Sequence, residues 1–380
     1  MSLRPMTAER IAKMVVEDES LFILDVRSEE AYEDWNIEGL RTDSRNVPYA
    51  TFQEAIDETI DQLPKDRPIL VVCAKEKTSI LVGEELAARS IDVYYLEGGM
   101  QAWSEQLVPI FIGTTKSVDV YQWIRIGKGC LSYMLVGETE AVVIDAARMI
   151  DVYTNFAKEQ GVRISHVVDS HLHADHITGG PMLAQQTDAR YYMMRSEGAV
   201  FPLEPLEEHE SILFDDSTLR VIALKTPGHT PGSVSFLLND TYLFSGDTVF
   251  VSGLGRPDLG NRVDEWANDL YETVHRSIVP MTEDVLVLPG HYANYVDERN
   301  ERGFVGKTLG DIRRENEAMF TASKEEFLRQ VRQSASSVKP PNFEEIVALN
   351  RGETEASLEE IRTLEIGPNR CAVHHSTCDQ

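Results

Sequence analysis

The sequence predicts an α/β protein in two blocks: an N-terminal parallel sheet flanked by helices, then a second α/β domain with a layered sheet. Three observations lead there. Residues 5–105 alternate short apolar strands with helical segments. Beyond residue 119, four apolar strands each end in a metal-type ligand. No long Gly/Ser- or Pro-rich stretch separates the blocks, so they are expected to pack on each other.

In the first block Thr7 can cap a helix carrying Ile11, Met14 and Val15 on one face. Leu21–Val26, Ile69–Val72 and Val93–Leu96 read as buried strands, with helical composition over Ile80–Arg89. Strands alternating with helices imply parallel pairing. Residues 106–118 look like a connection, which divides the chain into 1–105, a linker 106–118, and 119–380 with a C-terminal extension.

The second block opens with strands over Ser132–Val136 and Ala141–Asp145. A helix with Val152 and Phe156 follows and stops at Gly161. Then a strand–ligand pattern repeats. Ile164–Ser170 runs into His171, Val221–Gly228 into His229, Tyr242–Gly246 into Asp247, and Val285–Gly290 into His291. Ligands at successive strand ends converge on one edge of a sheet, where open α/β folds place their sites. Trp266, Leu270, Val274 and Ile278 recur every four residues and read as the core face of a helix over 264–278. Residues after about 302 are mixed and partly helical in pattern.

Composition narrows the function. The 380 residues are 42% hydrophobic and 26% charged, ordinary for a globular protein with more than one domain. No apolar run is long enough to cross a membrane, and the N-terminus lacks the apolar core of a secretory signal, so a cytoplasmic protein is expected. A net charge of −27 argues against nucleic acid or an anionic membrane as partner. It leaves room for a small anionic substrate, because a metal reverses the field locally. A homo-oligomer is expected. The four cysteines form no CxxC pair and read as thiols. Cys130, in an apolar stretch, reads as a small buried residue; the roles of Cys371, Cys378, His374 and His375 stay open, with a polar tail the plain reading for the last three.

His171-Leu172-His173-Ala174-Asp175-His176 places three imidazoles and a carboxylate within six positions. Such a cluster is costly to bury unless a metal binds it. A His-rich polar loop is the plain alternative, and the further ligand types at three other strand ends weigh against it.

The set His171-x-His173-x-Asp175-His176, Thr226-Pro227-Gly228-His229, Ser245-Gly246-Asp247-Thr248 and Pro289-Gly290-His291 resembles the metallo-β-lactamase fold, in its glyoxalase II-like branch, over residues 119–300. The resemblance implies an αββα sandwich with its site at one edge. Gly255-Arg256-Pro257-Asp258-Leu259 and the tail Pro368-Asn369-Arg370-Cys371 are similar to segments of persulfide dioxygenases. That resemblance implies one Fe(II) per chain on His171, His229 and Asp247, a two-His, one-carboxylate set with positions open for a thiol persulfide and O2. Glutathione persulfide and coenzyme A persulfide are the implied substrates, and sulfite and thiol the products. His173, Asp175, His176 and His291 would orient the iron site, or hold a second metal in a dinuclear hydrolase. Arg256 would pair with a carboxylate of the thiol carrier or hold the rim, with Asp258 beside it; alternatively Arg256 bonds Asp258 at the surface.

Leu24-Asp25-Val26-Arg27, Asn46-Val47-Pro48, a strand ending in Cys73 and Leu96-Glu97-Gly98-Gly99-Met100-x-x-Trp103 resemble a rhodanese domain over residues 5–105. Cys73 stands where the family carries sulfur, at a strand end with a helix starting behind it. The loop 73–79 departs from the family: Thr78 replaces its arginine, and Glu76 opposes the charge of Lys75 and Lys77. Either Cys73 is a working sulfur carrier, or the domain is a docking module with an idle thiol.

The resulting expectation is a non-haem iron persulfide dioxygenase of sulfide oxidation fused to a sulfurtransferase. The rivals are a zinc thioester hydrolase with one or two metals, and a sulfur-relay protein with a closed structural metal.

Overall fold

The structure is a computed structural model describing residues 2–215, 219–258, 262–334 and 339–369. Leu259, Arg370, Cys371, His374, His375 and Cys378, singled out above, lie outside the described residues.

The first domain is a five-stranded sheet: β1 (Arg4–Met6), β2 (Leu21–Asp25), β3 (Thr42–Asn46), β4 (Ile69–Val72) and β5 (Val93–Leu96). Its order is β1-β5-β4-β2-β3, and every pairing is parallel, as the alternation of strands and helices requires. Thr7 does cap the helix Ala8–Val16, its side chain accepting from Arg10 N, and Ile11, Met14 and Val15 face the core.

The second domain is a sandwich of two mixed sheets. One has seven strands: β6 (Leu107–Thr115), β7 (Val118–Arg125), β8 (Cys130–Val136), β9 (Glu140–Ile144), β10 (Arg163–Val168), β11 (Arg190–Met193) and β12 (Glu204–Pro205), laid side by side in chain order. The other contains β13 (Ser211–Phe214), β14 (Leu219–Lys225), β15 (Val234–Leu238) and β16 (Tyr242–Gly246). After a small hairpin, β17 (Val249–Phe250) with β18 (Gly253–Leu254), it is completed by β19 (Leu286–Pro289) and β20 (Lys307–Thr308). Its order is β13-β14-β15-β16-β19-β20.

Side-chain alternation explains the layers. Leu131, Tyr133 and Leu135 of β8 point into the core shared with Phe236 and Phe244 of the facing sheet. Met134 and Val136 point outward, to a cluster under the helices Asp151–Gln160 and Gly180–Thr187. Leu243 and Val287 face outward onto the helix Val263–Thr273 and those that follow. Helices therefore cover both outer faces, the αββα arrangement expected.

Two local expectations change. Residues 106–118 are not a bare connection: Leu107–Thr115 pairs antiparallel with β7 as the edge strand of the large sheet. Its alternating burial hid it from a search for continuous apolar runs. The helix expected over 264–278 is α-helical to Thr273 and closes with a π-turn over Val274–Ile278, which keeps Val274 and Ile278 buried. The stretch after 302 is partly helical, as expected, with Phe343–Arg351 and Leu358–Leu364 among its helices. The two domains share one core, since Ile11, Val15 and Trp103 cluster with Val118 and Val120. Arg299 seals the seam by donating to both carboxylate oxygens of Asp18 at 2.8 Å.

Candidate metal centre and sulfur site

The parallel pairs β9–β10 and β16–β19 end at the same edge of the sandwich, so the loops behind them meet there. From β10 the chain enters 169–178, which carries the His-rich motif; from β16 it enters Asp247; from β19 it enters Gly290 and His291. Glycine at 290 is required sterically, since a Cβ there would lie 2.6 Å from Asp247 Oδ1.

His171, His229 and Asp247 come together. Their ligand atoms lie within 4.8 Å of one another, and all three side chains are buried. Asp247 Oδ2 is 3.7 Å from His171 Nε2 and 3.5 Å from His229 Nε2. It has no hydrogen-bond partner among the described residues, whereas Oδ1 is bonded to His291 Nδ1 at 2.7 Å. A buried carboxylate oxygen left without a partner beside two imidazole nitrogens is the arrangement a cation completes.

The hydrogen bonds fix the tautomers. His229 Nδ1 donates to the Arg256 carbonyl at 3.0 Å. Ser170 Oγ gives its hydrogen to Asp145 Oδ2, so it accepts from His171 Nδ1 at 2.9 Å. Both histidines therefore turn a lone pair on Nε2 toward Asp247. Burial holds both below the usual histidine range, so they stay neutral. Burial would raise Asp247, but His291 outweighs it and holds the carboxyl well below its ordinary value. Two neutral imidazoles and one carboxylate at neutral pH form a site that suits Fe(II), with coordination positions to spare.

A second cluster lies behind the first. Asp175, His176 and His291 meet Cys130, and the four ligand atoms again fall within 4.8 Å. Cys130 Sγ is 3.6 Å from both Asp175 Oδ2 and His176 Nδ1. His291 bridges the clusters, with Nε2 3.0 Å from Asp175 and Nδ1 on Asp247. Burial disfavours charge on His291, yet the carboxylates of Asp175 and Asp247 outweigh it and push it well above the usual range. In the same way burial at His176 is overcome by Cys130 and Asp175, which raise it to about 10. Cys130 is lowered to about 7: burial and Asp175 push it up, and His176 and His291 more than compensate. Cys130 is buried as expected, but it is a member of a polar cluster, and its apolar sequence neighbours carried no sign of this.

His173 is not among those four ligand atoms, although its ring centroid lies 4.3 Å from that of His176. It faces Asp145, 3.5 Å from Nε2, and forms a third group with Asp169. Asp145 and Asp169 follow β9 and β10, so the strand-end pattern that flagged the four ligands also pointed to these two. Glu197 was missed as well. Its buried carboxylate accepts from Leu172 N at 3.3 Å and from Thr230 Oγ1 at 2.7 Å, bracing the loops of His171 and His229. Arg256 and Asp258 form a bidentate pair at 2.6 and 2.9 Å, with the guanidinium side chain only 10% exposed. Through its carbonyl Arg256 also anchors His229. A cavity of about 240 Å³ opens between the domains beside Gly129 and Tyr292, the chain neighbours of Cys130 and His291; Trp35, Trp103 and Lys128 line it.

Cys73 directly follows β4 in the other domain. Its sulfur accepts from Ser79 N, in the first turn of the helix Lys77–Ala88, at 3.3 Å, and lies 3.4 Å from Ser79 Oγ. Glu76 adopts φ 139 in this loop, and its carboxylate accepts from Gly98 N at 2.9 Å. The glutamate is thus spent on pinning the loop rather than facing the sulfur.

Comparison with known proteins agrees with both domains. Residues 125–291 match the metallo-β-lactamase superfamily and residues 7–106 the rhodanese-like domain. The chain is 34% identical over 206 residues to the mitochondrial persulfide dioxygenase ETHE1 of Homo sapiens, covering 53% of this chain and 75% of that protein. The solved structure of ETHE1 from Myxococcus xanthus superposes with a TM-score of 0.53 at 26% identity, covering 66% of this chain and all of that one. A metallo-β-lactamase from Staphylococcus aureus gives a TM-score of 0.55 at 26% identity, covering 64% and 74%. Zinc-dependent and hydroxyacylglutathione hydrolases also match, over 38–40% of this chain. Among the described residues no helix is long and apolar enough to cross a membrane.

Proposed function

This chain belongs to the persulfide dioxygenase family of the metallo-β-lactamase superfamily, with a rhodanese-like domain ahead of it, and from that premise we propose that it oxidises the persulfide of a low-molecular-weight thiol with O2. The substrate is glutathione or coenzyme A persulfide, and the balance is RSSH + O2 + H2O giving RSH, sulfite and two protons. The observation that carries the reading is the orphaned Asp247 Oδ2 facing the Nε2 atoms of His171 and His229. That donor set fits one Fe(II) per chain. When bound, iron supplies the redox chemistry that couples O2 to the terminal sulfur.

The residues around the triad have their own tasks. His291 holds Asp247 by Oδ1, leaving Oδ2 for the cation. Ser170 and the Arg256 carbonyl keep His171 and His229 turned toward it. Burial of all three ligands excludes bulk water. The cavity beside Gly129 and Tyr292 offers the thiol end an approach between the domains. Cys73, held by Ser79, carries sulfane sulfur toward or away from this reaction, which gives the fused domain a shared chemistry.

A zinc-dependent thioester hydrolase of glyoxalase II type is the second reading. It is favoured by the four ligand atoms of Cys130, Asp175, His176 and His291, which offer a second metal a place. One experiment separates the two. Anaerobically purified protein loaded with Fe(II) is given glutathione persulfide, and oxygen uptake and sulfite are followed together. Uptake matched by sulfite supports the dioxygenase. No uptake with either persulfide, alongside thioester turnover by zinc-loaded protein, moves the assignment to the hydrolase.

A further inference from the structure

The backbone that carries the His-rich motif has little regular structure of its own. Between Val168 and the helix Gly180–Thr187 it forms no helix or strand, so its buried N–H and C=O groups need partners from elsewhere. Four of them find those partners in two side chains of the C-terminal extension.

Asn350, buried in the helix Phe343–Arg351, donates through Nδ2 to the carbonyls of His173 at 2.9 Å and His176 at 2.8 Å. Its Oδ1 accepts from Thr178 N at 3.0 Å. Glu365, just past the helix Leu358–Leu364, accepts from Ile177 N at 3.0 Å through Oε2. Its other oxygen takes Arg125 at 2.8 Å and Arg148. Burial would raise Glu365, but Arg125 and Arg148 outweigh it and lower it to about 2, so the carboxylate stays charged.

The same arginines reach into the rhodanese-like domain. Arg125 Nε donates to the Ser104 carbonyl at 2.6 Å, and Arg148 and Arg362 both pair with Glu105. Ser104 and Glu105 close the helix Gly99–Glu105, whose Met100 N is bonded to the Cys73 carbonyl at 2.9 Å. The metal loop is therefore tied by side chains to both other parts of the chain.

We propose that Asn350 and Glu365 are positioning residues of the metal centre, fixing the backbone of residues 173–178 so that Asp175 holds His291 and, through it, Asp247. Metal affinity then depends on the C-terminal extension, although no residue of the extension described here touches the triad. The inference rests on the metal assignment made above. It follows from geometry: the amide of one asparagine spans His173 and His176, the ends of the segment holding Asp175. Orienting groups outside the ligand set typically govern metal affinity by about 10–100-fold.

The test uses the full chain and Fe(II) itself. The dissociation constant is measured anaerobically against a chromophoric chelator, the electron paramagnetic resonance signal of the iron–nitrosyl complex reports ligand geometry, and a melt of the metal-free protein reports stability. Asn350→Ala is expected to weaken Fe(II) by about 10–100-fold and broaden or shift the signal. Ile346→Val, a buried change one turn earlier on the same helix face at a side chain with no hydrogen bond to the loop, is expected to lower the melting temperature and leave affinity and signal intact. Should Asn350→Ala not fold, Asn350→Asp keeps the size and the acceptor for Thr178 while removing both donors, and the same weakening is expected. Glu365→Gln keeps an acceptor for Ile177 but uncouples two arginines, so stability should fall more than affinity. Unchanged affinity and signal in a folded Asn350 variant, or an equal loss in Ile346→Val, overturns the proposal and leaves the metal assignment standing. Failure of the wild type to bind Fe(II) overturns both.

Discussion

The triad of His171, His229 and Asp247 and the loop of Cys73 are held in opposite ways. Each triad ligand is buried and fixed by a second group: His171 by Ser170, His229 by the Arg256 carbonyl, Asp247 by His291. The Cys73 sulfur is held by one backbone amide and one hydroxyl, both from Ser79. Its loop touches the C-terminal extension through Lys75 and Glu359, an exposed pair at 3.1 Å of the kind that contributes little. The metal centre is over-determined by tertiary contacts. The cysteine site is a local turn, pre-formed by a strand end and a helix start. Damage should therefore spread at the first and stay confined at the second.

The largest expected effect tests that contrast at the triad. Asp247→Asn should weaken Fe(II) by more than about 100-fold and remove oxygen uptake, since it strips the one carboxylate from the set. Metal analysis after desalting checks it, and full iron retention would break the contrast. Cys73→Ser comes next. Sulfur transfer from thiosulfate should vanish, while oxygen uptake with glutathione persulfide should stay within about twofold, as for independent sites. A parallel fall in both activities would show that the two centres work as one.

Smaller effects sharpen the picture. In the metal-free protein His176, raised to about 10 from an ordinary 6.5, contributes stability that is fully present below pH 6.5 and is lost as pH rises through 10. Melting temperatures should fall over that window, and His176→Gln should flatten the fall; a profile unchanged by the substitution would show that the second cluster does not hold that proton. The smallest effect is expected at Arg256→Gln. Leaving Asp258 without its bidentate partner should cost roughly 1–3 kcal/mol of stability by denaturant unfolding. KM for the persulfide should barely move if the guanidinium serves Asp258, and a large rise in KM would return Arg256 to the substrate.

Much of this was legible in the sequence because strand ends and ligands are both local signals. The run of four strands closing in His171, His229, Asp247 and His291 set the edge of the sandwich and the residues on it. What escaped notice depends on distance along the chain. Cys130 sits among apolar neighbours and meets Asp175 and His176 only once β8 packs beside the motif loop. Asn350 and Glu365 act on residues more than 170 positions earlier, which no local pattern announces. The edge strand Leu107–Thr115 carries no continuous apolar run, because its inward and outward residues alternate. Asp145 and Asp169 also follow strand ends, but a single carboxylate there is no signal by itself, and their grouping with His173 forms only in the fold.

Anaerobic titration of Fe(II) into the metal-free protein, read by the nitrosyl signal, tests the central claim most directly. One equivalent per chain is expected, with the signal lost in Asp247→Asn and kept in His176→Gln. Two equivalents, or a signal that survives Asp247→Asn and disappears in His176→Gln, would contradict a mononuclear site on His171, His229 and Asp247.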